Sequence, residues 1–358
     1  MPKTFIIAEA GVNHNGSLDM ATRLIDVAVE AGADAVKFQT FRAEKVVSRT
    51  APKAAYQTVT TGSSESQFEM IKKLELNEDA HRLLIAYCAK REIQFLSTAF
   101  DPESVDLLDK TFNLPILKIP SGEITNAPLL LHAAHAKKPI ILSTGMSTLG
   151  EIEAALGVLA FGYLEDTAKP SMNAFQAAFC SEEGQEVLAK MVTLLHCTTE
   201  YPAPFSEVNL RAMDSMNTAF GLPVGYSDHT EGIAIAVAAA ARGAVVIEKH
   251  FTLDRNLPGP DHKASLNPVE LQEMVRAIRQ VESALGLAHK VPSLSEMKNR
   301  SVVRRSLVAE KDIKQGVLFD EANMVVKRPG TGVSPMQYWD YLGTQSDKEY
   351  FPDQMIGE

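Results

Sequence analysis

His229 and His250 each stand at the end of a short apolar run, and histidine both binds metal ions and transfers protons near neutral pH. Two imidazoles brought to one mouth of a fold could share a divalent cation and leave coordination positions open for substrate or water. The alternative is that one or both rings are structural and use their nitrogens in internal hydrogen bonds. The pair predicts a catalytic metal site with His229 and His250 as ligands.

Lys37 and Lys118 lie inside otherwise apolar runs. An unpaired ammonium group is costly to bury, so each lysine needs an anion close by. A bound phosphate or carboxylate would supply that anion. The alternative is an internal ion pair with Glu9, Glu123 or Glu248.

Ser121, Ser143 and Ser227 also follow apolar runs and add hydroxyl donors of the kind that surround a phosphate. Together with the lysines they indicate a small phosphorylated, carboxylated substrate. A rival use of Lys37 or Lys118 is a Schiff base with a carbonyl substrate, as in a metal-independent aldolase. A non-catalytic barrel that only binds carbohydrate is a second alternative.

Eight short apolar runs, most of them rich in Val, Ile, Leu or Phe, alternate with helical segments over the first 286 residues. The runs are Thr4–Gly11, Ala35–Thr40, Gln94–Phe100, Ile116–Gly122, Pro139–Gly145, Met191–Cys197, Val224–His229 and Val245–Phe251. This count predicts an α/β fold, a (β/α)8 TIM barrel. A dinucleotide-binding sheet is disfavoured because the first turn, Gly11–Gly16, does not fit the GxGxxG pattern.

In such a barrel the active site lies at the C-terminal ends of the strands, so the polar residues that end the runs become candidates as a set. They are Glu9, Lys37, Gln39, Ser97, Thr98, Lys118, Ser121, Glu123, Ser143, Thr144, His196, Thr198, Tyr201, Ser227, Asp228, His229, Glu248 and His250. Each alone could be a capping or turn residue. Their convergence from eight run ends favours a functional site.

Domain organisation follows from where this pattern stops. We predict a catalytic barrel over residues 1–286, a polar linker over 287–300 and a small, mostly β domain over 301–358. Phe41–Glu75 and Met146–Lys190 are longer than ordinary connections, which is typical of lids or extra helices.

Composition excludes several classes of partner. The formal net charge is −10, and no basic cluster offsets it, so nucleic acid is not an expected partner. The apolar run after Met1 is too short for a signal peptide or a membrane span, and Cys88, Cys180 and Cys197 form no CxxC pair. We therefore expect a cytoplasmic protein with no membrane association.

Nine motifs, in order along nearly the whole chain, carry a resemblance to a known family. They are the runs 6–16 (IIAEAGVNHNG), 36–40 (VKFQT), 118–123 (KIPSGE), 142–146 (LSTGM), 196–202 (HCTTEYP), 225–229 (GYSDH), 248–251 (EKHF), 259–262 (GPDH) and 327–330 (KRPG). The chain resembles the sialic acid (nonulosonic acid) synthases. The last motif resembles the antifreeze-like (SAF) domain of that family.

The resemblance implies a transferase of sialic acid biosynthesis. Such an enzyme condenses phosphoenolpyruvate with the open-chain aldehyde of an N-acetylated mannosamine-type sugar and releases inorganic phosphate. The acceptor would be 2,4-diacetamido-2,4,6-trideoxymannose or N-acetylmannosamine, giving legionaminic or N-acetylneuraminic acid. The motifs at 118–126, 197–204 and 261–266 are nearer the legionaminic branch.

The resemblance also implies residue roles and a cofactor. His229 and His250 would bind a divalent metal, Mn2+ in the first place and Mg2+ or Co2+ otherwise. Glu9 would be the acid or base, and Glu123 would lie close to phosphoenolpyruvate. The implied substrate contacts are Lys37 and Thr98 with the carboxylate, Lys118, Ser121, Ser143 and Ser227 with the phosphate, and Gln39, Tyr201 and Asp261 with the sugar. Arg328 would reach the sugar's N-acetyl group from the partner subunit, in a domain-swapped homodimer.

Overall fold

The computed structural model describes residues 3–53, 58, 61, 65–164 and 168–357. Eight parallel strands close into a barrel in chain order, so each strand pairs with the next and β8 pairs with β1. The strands are β1 Phe5–Gly11, β2 Ala35–Thr40, β3 Gln94–Ala99, β4 Leu117–Ile119, β5 Ile140–Ser143, β6 Val192–Cys197, β7 Val224–Asp228 and β8 Val246–His250. The predicted barrel is confirmed.

Helices fill the connections between the strands. They are α1 Leu18–Ala31, α2 Ala43–Val46, α3 Gln67–Lys72, α4 Glu78–Lys90, α5 Pro102–Asp106, α6 Ala127–His135, α7 Leu149–Leu164, α8 Met172–Cys180, α9 Glu182–Met191, α10 Ala212–Phe220, α11 Ala234–Ala241 and α12 Pro268–Leu285. Ser17 caps the start of α1, and Gly32 ends it in the left-handed conformation with φ 78°. No helix among the described residues is long and apolar enough to cross a membrane.

The two long connections differ in content. Met146–Lys190 holds α7, α8 and most of α9, which confirms the prediction of extra helices there. Phe41–Glu75 holds α2 and α3, and residues 54–57, 59–60 and 62–64 lie outside the described part of the chain. The fourth strand is shorter than its predicted run because Pro120 has no N–H to donate and a 3-10 turn begins at Ser121.

Alternation along the strands positions the chemistry. The lower barrel is filled by a cluster of buried side chains: Ile7, Ala35, Leu96, Ile141, Leu195 and Val246. Side chains in a strand return to the same face every second residue, so the next inward layer lies two residues further on. That layer contains Glu9, Lys37, Thr98, Ser143, Cys197 and Glu248. A packed apolar floor therefore lies directly beneath a layer of mostly polar and charged side chains.

The chain divides into two compact units, Met1–Gly286 and Leu287–Glu358. The second unit contains α13 Leu294–Val303, which occupies part of the segment predicted as a linker, and the short helix α14 Tyr338–Tyr341. Its strands β9 Ser306–Ala309 and β10 Met324–Lys327 pair antiparallel. The second unit has a small hydrophobic core of its own, which includes Leu307, Phe319 and Tyr350.

Candidate active site

A pocket of about 290 Å³ opens at the C-terminal ends of the strands, above the apolar floor. Of the residues to which the resemblance gives a role, all but Glu123 and Arg328 line it. The residues that line it are Glu9, Lys37, Gln39, Thr98, Lys118, Ser121, Ser143, Tyr201, Ser227, His229, His250 and Asp261. Parallel strands bring their carboxyl ends to one edge, so chain positions more than 200 residues apart meet here.

Lys37 lies in one half of the polar layer at the bottom of the pocket. Its ammonium group forms an ion pair with Glu9 and lies 3.5 Å from Oε2 of Glu248, and all three side chains are buried. Nζ also donates a hydrogen bond of 2.6 Å to Oγ1 of Thr98. The internal ion pair left open by the sequence is therefore present, and it uses Glu9 and Glu248.

Lys118 lies in the other half. Its Nζ donates a hydrogen bond of 2.7 Å to Oγ of Ser143 and lies 3.7 Å from Oε1 of Glu248. Ser227 donates to the same carboxylate oxygen over 2.8 Å. Glu248 thus sits between both lysines and accepts from a serine hydroxyl.

The two carboxyl groups of this cluster differ in protonation. Burial and the nearby charge of Glu248 raise the pKa of Glu9 to about 7, although Lys37 acts against that rise. Burial alone would raise the pKa of Glu248 too, but Lys118 and Lys37 together lower it to about 2. Glu248 is therefore the permanent anion, and Glu9 is the group able to hold or release a proton near neutral pH.

Ser121 lies at the rim of the pocket near Gly145. Its hydroxyl accepts a 2.9 Å hydrogen bond from the Gly145 N–H and lies 3.1 Å from Sγ of Cys197. A Cβ atom added at Gly145 would lie 2.3 Å from Oγ1 of Thr199 and 2.9 Å from both Oγ of Ser121 and Sγ of Cys197. Glycine is required here because the loop after β5 passes so close to these groups.

His229 and His250 lie side by side, with ring centroids 5.7 Å apart. Nδ1 of His229 donates to the carbonyl oxygen of Thr198 over 2.6 Å, so Nε2 is the acceptor nitrogen, which lies 3.2 Å from the Tyr201 hydroxyl and 3.4 Å from the Ser227 hydroxyl. Nδ1 of His250 is buried and has no hydrogen-bond partner among the described residues. Burial lowers the pKa of His229 to about 4 and lowers that of His250 as well, so both rings are neutral.

Neutral imidazoles with an unprotonated nitrogen suit a metal ion, and a backbone carbonyl that fixes the tautomer of His229 is the usual outer contact of such a ligand. The described residues contain no group of three or more His, Cys, Asp or Glu side chains arranged to hold a metal. A metal bound by this pair would therefore take its other ligands from water or substrate.

Asp261 and Gln39 line the outer part of the pocket. Burial raises the pKa of Asp261 to about 6. The loop that carries Asp261 is fixed by Ser265, whose hydroxyl donates to the Asp261 carbonyl over 2.7 Å and accepts from Asn13 over 2.9 Å. This connects the β8 loop with the β1 loop.

Other sequence candidates lie elsewhere. Glu123, expected close to the phosphorylated substrate, does not line the pocket; its Oε2 accepts a 2.7 Å hydrogen bond from Asn126 beside the turn after β4. His196 hydrogen-bonds the Val208 carbonyl, and His14 orders its own loop by accepting from the Gly16 N–H over 3.0 Å. Arg328 belongs to the second unit, where its side chain is exposed.

Two features of the pocket go beyond the sequence interpretation. Glu248 was one of three possible ion-pair partners of the lysines, and the structure makes it the anion shared by both. The period-two pattern of β8 contains that signal, since Val246 fills the floor and Glu248 follows on the same face. The second feature is an outer apolar side of the pocket, which includes Val46, Ile71 and Leu74. These residues come from the long connection after β2, where no regular pattern marks them.

Comparison with known proteins agrees with this geometry. The model of the NeuB family matches residues 24–290. The N,N'-diacetyllegionaminic acid synthase of Campylobacter jejuni subsp. jejuni serotype O:2 is 54% identical over 358 residues and 100% of both chains. The N,N'-diacetyllegionaminic acid synthase of Legionella pneumophila subsp. pneumophila is 45% identical over 341 residues, which cover 95% of this chain and 90% of the relative.

Among solved structures, the crystal structure of the N-acetylneuraminic acid synthetase of Leptospira borgpetersenii serovar Hardjo-bovis superposes with a TM-score of 0.66. The two sequences are 33% identical, and the match covers 83% of this chain and 90% of the other. The likeness therefore extends from sequence to architecture.

Proposed function

Since this chain belongs to the NeuB family, we propose that it is a synthase that joins phosphoenolpyruvate to an N-acetylated amino sugar. The product is a nine-carbon 2-keto acid, and inorganic phosphate leaves with C–O cleavage. The observation that carries the proposal is the pair of buried lysines in a pocket that also contains two neutral histidines. The names of the legionaminic acid synthases favour 2,4-diacetamido-2,4,6-trideoxymannose as acceptor over N-acetylmannosamine.

Phosphoenolpyruvate carries a carboxylate and a phosphate, and the pocket floor offers cations and hydroxyl donors for both. Lys37 and Thr98, joined by a hydrogen bond, would hold the carboxylate. Lys118 and Ser143, joined in the same way, would hold the phosphate together with Ser121 and Ser227. Both lysines are buried and hydrogen-bonded above the apolar floor, so binding costs little side-chain ordering.

Carbon 3 of phosphoenolpyruvate attacks the aldehyde carbon, and water adds at carbon 2 before the phosphate leaves. These steps need a group that moves a proton at the aldehyde oxygen or at the incoming water. Glu9 suits that role because its pKa is raised to about 7 and its Oε1 has no hydrogen-bond partner in the described chain. Tyr201, Gln39 and Asp261 line the adjoining part of the pocket and would contact the sugar.

The donor set fits a divalent metal held by His229 and His250. When bound, Mn2+, or Mg2+ or Co2+ in its place, would polarise the aldehyde oxygen as a Lewis acid. The chain's own contribution is to keep both rings neutral by burial and to fix His229 through the Thr198 carbonyl.

We include in the proposal that the second unit is the family's SAF domain, whose Lys-Arg-Pro-Gly motif residues 327–330 resemble, and that the protein is a domain-swapped homodimer. Arg328 is exposed, as are Leu294, Met336 and Trp339, which are 88%, 86% and 77% exposed. In the proposed dimer these exposed apolar side chains are covered by the partner. A cytoplasmic location belongs to the same proposal and is supported by three free cysteines.

Phosphate release from phosphoenolpyruvate, measured with Mn2+ across a panel of 2-acetamido sugars, tests the reaction. We expect release that depends on the sugar and is fastest with 2,4-diacetamido-2,4,6-trideoxymannose. Absence of release with every sugar of the panel would reject the synthase. Burial lowers the pKa of Lys118, as a Schiff-base lysine requires, so borohydride trapping with pyruvate is the matched test of the aldolase alternative.

The metal role has its own test. EDTA should abolish turnover and Mn2+ should restore it, and calorimetry should show Mn2+ binding that His250→Ala removes without changing the melting temperature. Full activity after exhaustive chelation would contradict the metal assignment but would leave the proposed synthase reaction intact.

Complementation tests the dimer. Co-expression of His250→Ala chains with Arg328→Ala chains allows subunits to exchange. If Arg328 works in the partner's barrel, mixed dimers regain one intact site, and if it works within its own chain, mixing restores nothing.

A further inference from the structure

Three buried polar side chains form a hydrogen-bonded series behind the pocket, on the outer face of β2 and β3. We define the His81 chain as Ser97, Thr40 and His81. Oγ of Ser97 lies 2.6 Å from Oγ1 of Thr40, which lies 2.7 Å from Nε2 of His81. The three residues are 1%, 4% and 0% exposed. The proposed reaction gives none of them a role.

The direction of each hydrogen bond follows from the far side of the imidazole ring. Nδ1 of His81 lies 2.9 Å from the carbonyl oxygen of Asn77, which can only accept, so Nδ1 carries the proton. Burial lowers the pKa of His81, so the ring is neutral and Nε2 accepts from the Thr40 hydroxyl. Thr40 in turn accepts from the Ser97 hydroxyl. The His81 chain therefore runs in one direction, from β3 through β2 to α4.

The surroundings of the His81 chain are apolar. Val36, Phe38 and Phe95, on the same outer face of β2 and β3, belong to the main hydrophobic core. The His81 ring stacks on Phe112, with 5.9 Å between centroids. Replacing all partners of a buried hydrogen bond by apolar groups of similar shape is nearly neutral for stability. Stability alone therefore does not explain why polar side chains occupy these positions.

The inner face of the same strand ends suggests an explanation. Side chains alternate along a strand, so the residues next to Thr40 and Ser97 face the pocket. These residues, Gln39 and Thr98, pair across β2 and β3 and line the pocket. Thr98 also accepts a 2.6 Å hydrogen bond from Lys37. A hydrogen bond restricts both a distance and an angle, whereas apolar contact is non-directional, so the His81 chain connects β2 to β3 more exactly than packing would.

We propose that His81 is a positioning residue of the phosphoenolpyruvate site. Through Thr40 and Ser97 it holds the ends of β2 and β3 at the spacing at which Lys37 and Thr98 reach one carboxylate together. The inference rests on the proposed function, which places the carboxylate of phosphoenolpyruvate at that pair. The pocket lies on the opposite face of the two strands, so His81 acts through its neighbours and not by touching the substrate.

Two substitutions at Thr40 test the inference. Thr40→Val keeps the shape of the side chain but disconnects Ser97 from His81. We expect the dissociation constant and the KM for phosphoenolpyruvate to rise by about 10- to 100-fold, since a displacement of about 1 Å in a binding group has effects of this size. Thr40→Ser keeps the hydroxyl and should bind phosphoenolpyruvate as wild type does. A role in packing alone predicts the opposite order, with serine worse than valine, and that order would overturn the inference.

A further pair of variants separates positioning from stability. The triple variant Ser97→Ala, Thr40→Val, His81→Phe leaves no member of the His81 chain unpaired, so its free energy of unfolding should be close to wild type. Its affinity for phosphoenolpyruvate should nevertheless stay low. Tyr163→Phe is the matched control, because it removes a buried hydroxyl of α7, outside the pocket, that donates to the Lys138 carbonyl over 2.8 Å. It should lose stability as Thr40→Val does and keep wild-type affinity.

The outcomes distinguish the inference from the function on which it rests. If wild type turns over phosphoenolpyruvate and Thr40→Val binds it equally well, the inference is overturned and the synthase stands. Recovery of affinity in the triple variant would also overturn the inference, because the His81 chain would then serve stability alone. If wild type releases no phosphate with any sugar, the synthase is rejected, and calorimetry with phosphoenolpyruvate alone decides the inference. Weaker binding by Thr40→Val would support it, whereas equal binding, or no binding by wild type, would overturn it.

Discussion

Two clusters of buried charge lie on opposite faces of the same barrel strands. On the inner face, Glu248 and Lys118 belong to a cluster that leaves Oε1 of Glu9 without a hydrogen-bond partner in the described chain. On the outer face, Lys249 pairs with Asp228 at 2.9 Å, and both side chains are fully buried. Alternation along β7 and β8 places the two clusters one residue apart in sequence.

The outer pair is satisfied by the chain itself. Oδ1 of Asp228 accepts from the N–H and the hydroxyl of Thr230, and Lys249 donates to Asp228 and to the Thr230 carbonyl. The inner cluster contains buried polar atoms without a hydrogen-bond partner in the described chain, such as Oε1 of Glu9. Buried polar groups are normally paired, so unused capacity at the barrel mouth marks the place where a ligand completes the network. Removing members of the two clusters should therefore have different consequences.

The largest effect on stability is expected from Lys249→Met. Removing the lysine leaves Asp228 as an uncompensated buried charge, which costs about 3–5 kcal/mol of unfolding free energy. Denaturant unfolding followed by circular dichroism measures the loss. The double variant Asp228→Leu, Lys249→Met should recover most of it, because an apolar pair replaces the ion pair. A single variant within 1 kcal/mol of wild type would remove the distinction between the clusters.

Lys118→Met should separate activity from stability. Glu248 keeps Lys37 and Ser227 as partners after the change, so no buried carboxylate is left uncompensated. We expect kcat/KM for phosphoenolpyruvate to fall by about 10²- to 10³-fold. The free energy of unfolding should stay close to wild type, and a loss as large as that of Lys249→Met would show that the inner cluster is structural too.

Asp261→Asn tests how the buried carboxyl group of Asp261 changes the free energy of unfolding with pH. Burial raises the pKa of Asp261 in the folded chain from 3.8 to about 6, so the folded state holds its proton more tightly than the unfolded state. Stability from this group is therefore fully present below about pH 4 and is lost as pH rises to about 6. The variant should exceed wild type in unfolding free energy by about 1–3 kcal/mol at pH 8, since one pKa unit corresponds to about 1.4 kcal/mol. At pH 4 the two should agree; a constant difference at both pH values would refute the titration.

The contrast also shows what sequence patterns can establish. The strand-end set could be predicted because parallel topology brings those ends together whatever the precise register. Which of Glu9, Glu123 and Glu248 pairs with Lys37 could not be predicted, since it depends on the register of β1 and β2, which places Glu9 beside Lys37 only in the folded barrel. Val46 and Ile71 were missed for another reason: helices of four and six residues are too short to show a periodicity.

The smallest effect is expected where a charge pair is neither fully buried nor near the pocket. Lys138 and Asp109 lie 3.0 Å apart with side chains 15% and 17% exposed, and Lys138 also donates to Asn113. Water reaches both groups, so Lys138→Met should cost less than about 1 kcal/mol and leave kcat/KM unchanged. Its measurement beside Lys249→Met holds the chemistry of the pair constant and varies burial. If both variants lost equal stability, burial would not explain why the outer pair is structural. Polar atoms without a hydrogen-bond partner in the inner cluster would then no longer indicate the active site.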